Sequence, residues 1–106
     1  MEWQAQIQGF ILLIDQYLKG EISFSTFHDR YFDSMTKIVM ETPEPVYHLL
    51  DGLLGAIDGC TDDPVLLQEA HYYIDSQTLH QRATQAANGL RGYISSSTDG
   101  DGNHPL

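Results

Sequence analysis

Basic residues are scarce in this chain. Its 106 residues hold five lysines and arginines against fifteen aspartates and glutamates, giving a formal net charge of −10 and a pI near 4.5. Phosphate binding needs Lys and Arg, so a charge of that sign argues against DNA, RNA or an anionic membrane as partner. Cysteine is nearly absent as well. Cys60 stands alone, so there is no internal disulfide and no Cys-rich metal site, and the expected compartment is a reducing cytoplasm. No apolar run approaches the roughly 18 residues of a membrane span. The opening Met1-Glu2-Trp3-Gln4 lacks the basic region of a secretion signal. No hydrolase elbow (Gly-x-Ser-x-Gly), phosphate loop or His-Glu-x-x-His motif occurs. The expectation is a protein that is not an enzyme, with no catalytic residue and no cofactor.

What is present is apolar residues at helical spacing. Trp3, Ile7, Phe10, Ile11, Ile14, Tyr17 and Leu18 recur at intervals of three and four, which predicts an amphipathic helix ended by Gly20. Ser23 offers an N-cap oxygen to a second helix, whose stripe is Phe24, Phe27, Tyr31, Met35 and Ile38. The Thr42-Pro43-Glu44-Pro45 segment breaks that helix and starts a third, with Val46, Leu49, Leu50, Leu53, Leu54 and Ile57 inward. Gly52 and Gly55 weaken it and are expected to let a neighbouring helix approach. Asp58 to Pro64 has turn composition, and Pro64 starts a short helix. The last long helix begins near Asp75 or Ser76 and carries Leu79, Ala83, Ala86, Leu90 and Ile94. Strand alternation is absent apart from a few residues near Tyr72 to Ile74. Ser95 to Leu106, rich in Ser, Gly and Asp, reads as a disordered tail. The fold class is therefore all-α: an antiparallel four-helix bundle with a short extra helix, a single domain over 1–94 and a flexible tail over 95–106.

Metal chemistry finds little support. Asp99-Gly100-Asp101-Gly102-Asn103 resembles the start of a calcium loop, but His104 takes the sixth position where glycine is required, and no glutamate follows at the twelfth. His71, Asp75 and His80 are too few for a ligand set, and read as surface or rim residues. Cys60, near a helix end, reads as packed and inert rather than nucleophilic.

The carboxylates are the best candidate site. Eight of them, with no lysine or arginine among them, lie between Ile38 and Gln81. Asp51 and Asp58 are seven apart, hence on one side of a helix. Asp62 and Asp63 occupy the turn just beyond, and Glu69 and Asp75 join the rim, while an aromatic such as Tyr47, Tyr72 or Tyr73 would anchor the centre of an interface. Solubility alone would explain a negative field. Helix capping would explain Asp62 or Asp63 before Pro64, and Asp75 before the last helix, at about 1 kcal/mol per cap.

Tyr17-Leu18-Lys19-Gly20-Glu21-Ile22-Ser23, followed by Phe27 and Tyr31, resembles the opening of the bacterial self-protective colicin-like immunity family typified by the colicin D immunity protein. Tyr72-Tyr73-Ile74-Asp75 with Leu79 four residues on is similar to that family's approach to its last helix. The two patches span most of residues 1 to 94. The resemblance implies a four-helix bundle that binds a toxin nuclease domain one to one. It implies carboxylates near the exit of the third helix that stand in for substrate phosphates, where this chain has Asp58, Asp62 and Asp63. Related proteins guard against contact-dependent growth inhibition toxins. The expected partner is thus a basic toxin nuclease domain, in particular a tRNA-cleaving RNase, met by Asp51, Asp58, Asp62, Asp63, Glu69, Tyr72 and Asp75. The alternative is a small acidic helical regulator or adaptor that takes a partner helix in an apolar groove.

Overall fold

The structure, a computed structural model, describes residues 2–69 and 73–102, with side chains over 3–69 and 73–95. Its elements are five helices: α1 (Glu2–Leu18), α2 (Phe24–Met35), α3 (Glu44–Asp58), α4 (Pro64–Glu69) and α5 (Ser76–Gly102). The apolar stripe of α1 is buried at Ile7, Phe10, Ile14 and Tyr17. Gly20 ends α1 as its lack of a Cβ allows, at φ 76°. The Gly20 N–H bonds to the Tyr17 carbonyl at 3.0 Å and the Glu21 N–H to that of Gln16 at 2.8 Å. That pair of bonds is the Schellman closure, which satisfies carbonyls the helix itself leaves open. Ser23 caps α2 as expected, its hydroxyl accepting from the Thr26 N–H at 3.1 Å.

α1 packs on α2 and α5, and α3 packs on the same two helices, so four helices enclose one core. Tyr17 stacks on Phe27 at 4.4 Å between ring centroids, and Tyr31 meets Phe10 edge-on at 5.2 Å. Such pairs add about 0.5–1.5 kcal/mol each beyond the area they bury. Tyr31 is wholly buried, and its hydroxyl donates to the Leu50 carbonyl at 2.8 Å, tying α2 to α3. Burial, and secondarily the charge of Asp51, pushes that phenol far above its ordinary pKa. Asp15 and Arg91 form an ion pair between α1 and α5.

Four expectations need correction. α2 stops at Met35, before Ile38. The next residues leave the helix to meet α1, where the Gln6 amide donates to the Lys37 carbonyl at 2.7 Å and accepts from the Val39 N–H at 3.0 Å. That clamp gives the released backbone groups partners that a longer helix would have supplied. Leu49 and Leu54 are half-buried, whereas Ala56 is buried, because the helix presents a narrower stripe inward than six large side chains would fill. Gly52 and Gly55 are not close-approach points, since a Cβ at either would meet nothing within 4 Å. That role falls to Gly89 on α5, where a Cβ would lie 3.0 Å from Leu49 Cδ1. Finally, the backbone is helical through Gly102 and crosses the limit expected at Ser95. Propagating a formed helix needs far less than starting one, so α5 runs on through Ser, Gly and Asp with no proline before Pro105 to interrupt it. Residues 103–106 lie outside the described residues.

Candidate functional site

The exit of α3 and the start of α5 are joined by a two-bond clip. The Thr61 N–H donates to the Ile74 carbonyl at 2.8 Å, and the Ile74 N–H donates to Gly59 at 3.0 Å, forming an isolated parallel bridge between Cys60 and Ile74. Among the described residues, this bridge at Ile74 is what the hint of strand near Tyr72 to Ile74 amounts to. Ile74, and Ile57 at the end of α3, are buried in the core.

The clip gathers the acids. Asp75 is the N-cap of α5, its carboxylate accepting from the Thr78 N–H at 2.8 Å. Asp62 reaches across fourteen residues to accept from the Ser76 N–H at 3.1 Å, so two carboxylates serve one helix start. Asp63 accepts from the Val65 N–H at 2.9 Å and caps α4. A helix N-terminus carries partial positive charge, and these three acids lie where that charge stabilises them. Hydrogen bonds from the Thr78 side chain and N–H hold the Asp75 carboxyl below the usual range. Cys60 is half-buried beside them. Burial, then the charges of Asp62 and Asp75, pushes its thiol up, which is the opposite of what a thiolate nucleophile requires. Tyr17 closes the floor. Its pKa is raised by burial and by Cys60 and Asp62, and its ring meets the edge of His80 at 4.8 Å.

Asp58 has no such task. It is the last residue of α3, exposed, with no hydrogen bond or ion pair among the described residues. A carboxylate there faces the negative end of the α3 dipole, a position that stability alone disfavours. Asp51 lies two turns earlier on the same side of α3, exposed and likewise without a hydrogen bond or salt bridge among the described residues. Glu69 ends α4, also exposed. Tyr72, like His71, falls outside the described residues. The structure therefore brings Asp62, Asp63 and Asp75 together at one end, with Asp58 at the helix end leading into that clip. Asp51 sits higher on the same helix.

Two features escape the sequence pattern. The bond from Asp62 to Ser76 has no local signature, because its partners meet only through the clip. Arg30, exposed on α2, lies off the buried stripe, which is the one signal that marks it. Among the described residues no group of three or more His, Cys, Asp or Glu converges as a metal site. No described helix is long and apolar enough to cross a membrane. Comparison with protein-family models, with curated proteins and with solved structures yields no match.

Proposed function

We propose that this chain is an immunity protein, an antitoxin that binds and neutralises a cognate bacterial toxin nuclease domain in the cytoplasm by presenting its acidic end to a cationic cleft. The reading takes α1, α2, α3 and α5 as an antiparallel four-helix bundle with α4 as the extra helix. The observation that carries it is Asp58. It is exposed, without a hydrogen bond or ion pair among the described residues, and set against its own helix dipole beside acids fixed by capping bonds. A residue that breaks a local stability rule without compensation is where function is expected. The neighbouring caps add preorganisation, because one oxygen of Asp62, of Asp63 and of Asp75 is held by a backbone N–H. A ligand meeting these groups loses less side-chain freedom than one meeting unrestrained acids.

A nuclease cleft lined by Lys, Arg and His to hold phosphates is the complementary surface, with a tRNA-cleaving RNase as the specific partner. Opposite fields raise association toward about 10⁸ per molar per second at low salt. The test is co-expression with a toxin domain encoded just upstream, with binding measured against salt. The variant of choice is Asp58→Asn with Asp62→Asn and Asp63→Asn, since Asn caps a helix as well as Asp does and removes only charge. The expected result is slower association, a shallower salt slope and lost protection. Full protection by that triple variant sinks the acidic-end mechanism, and failure of the wild-type chain to protect sinks the immunity reading.

A further inference from the structure

The cations of this acidic chain are not evenly spread. Two of its five, Arg30 and Lys37, line a groove of about 410 Å³ between α1 and α2. Its apolar wall comes from Phe10, Leu12 and Leu13, and Leu12 is 60 % exposed. Gly9 lies in the same wall, and a Cβ built there would meet nothing within 4 Å, so bare backbone faces the opening. Lys37 is engaged by Asp33 at 3.0 Å, one helical turn before it. Arg30 is exposed and has no hydrogen-bond or ion-pair partner among the described residues.

We propose that this groove docks an acidic amphipathic segment of a partner protein, with an aliphatic side chain laid between Gly9 and Leu12 and a carboxylate on Arg30. Charge complementarity selects the occupant. The guanidinium is a planar fork that matches a carboxylate through two parallel hydrogen bonds. Of the nearby acids, Asp33 is engaged by Lys37 and Asp29 by His28, which leaves Arg30 as the unpaired charge at the groove, and salt weakens the pull of the more distant carboxylates. Basic segments would meet Arg30 unpaired and are rejected. The exposed Leu12 supplies apolar area for a helix-in-groove contact. The site is separate from the acids of α3, α4 and α5 and does not rest on toxin binding.

The test uses the full chain and a fluorescein-labelled helical peptide bearing leucines one turn apart with flanking glutamates. A control peptide replaces those glutamates with lysines. Anisotropy should show binding of the glutamate peptide alone. Arg30→Glu should weaken it about tenfold or more and favour the lysine peptide instead. Gly9→Leu should abolish binding by filling the wall while raising the melting temperature, since leucine favours a helix over glycine. This separates a blocked site from an unfolded one. Asp62→Asn with Asp63→Asn should leave peptide affinity unchanged. Equal binding of both peptides, no binding of the glutamate peptide, or wild-type affinity in Gly9→Leu would each overturn the proposal. So would peptide-sensitive self-association in sedimentation, which would make a second copy the occupant.

Discussion

The end where α3 meets α5 and the groove where α1 meets α2 carry opposite charge and hold it in different ways. At the first, Asp62, Asp63 and Asp75 are short side chains bonded to backbone N–H groups at helix starts. At the second, Arg30 and Lys37 are long side chains, one unpaired among the described residues and one in an exposed i,i+4 pair. An exposed pair of that kind is worth only about 0.3–0.5 kcal/mol. The acids are therefore held by backbone bonds, whereas the groove's cations are loosely held side chains over a wall that α1 and α2 build by packing together. Loosening the exit of α3 should scramble the first and spare the second.

The largest effect should come from the core next to the clip. Ile57→Ala removes an almost fully buried side chain at the exit of α3 and should cost about 2–5 kcal/mol in chemical denaturation. Hydrogen exchange at the Thr61 and Ile74 amides should accelerate, while the groove stays intact. Exchange that speeds up equally along α1 and α2 would break the distinction.

Next come the caps. Asp62→Ala should cost about 1 kcal/mol, and Asp62→Asn should restore most of it. Asp75 adds a pH signature. Folding lowers its pKa, so the ionised carboxylate is favoured in the native state. That stability is present above the ordinary aspartate value of about 4 and is lost as pH falls through the lower folded value. Melting followed from pH 6 down to 2 should show this loss, and Asp75→Asn should flatten it. An unchanged pH profile in that variant would remove the cap from the mechanism of stability.

A smaller effect of opposite sign is expected at Asp58. Replacing it with Asn relieves the clash with the α3 dipole and should stabilise by about 0.3–1 kcal/mol at low salt, and under the proposed function it should weaken binding to a toxin domain. Destabilisation would mean that Asp58 has a structural partner after all. The smallest effect belongs to the groove. Arg30→Glu and Leu12→Ser alter exposed side chains and should shift stability by no more than about 0.5 kcal/mol in either direction.

Much of this fold is legible in the chain because its signals are local. Gly20 and Ser23 mark a helix end and a helix start within four residues, and the hydrogen bonds they predict are present. Pro64 and Asp75 are read in the same way, each at the threshold of the helix it introduces. Errors appear where the deciding partner is remote. α2 ends at Met35 because Gln6, more than thirty residues earlier, offers its amide to the residues that follow. Gly52 and Gly89 look alike in sequence, yet only Gly89 faces a helix neighbour, at Leu49. The carboxylates themselves are visible as a run without cations. Which of them cap and which stand unengaged is not, since that depends on where Ser76 and Thr78 present their N–H groups.

The sequence by itself determined the helical class, most of the helix limits and the strong negative charge. These follow from periodicity, caps and composition, which act over a few residues or over the whole chain. Tertiary structure alone decided that Thr61 pairs with Ile74, that Asp62 serves a helix fourteen residues away, and that Arg30 stands over an apolar groove. Those outcomes depend on how helices pack side by side. Packing brings together residues that no local pattern links, because the burial that drives it has no direction of its own.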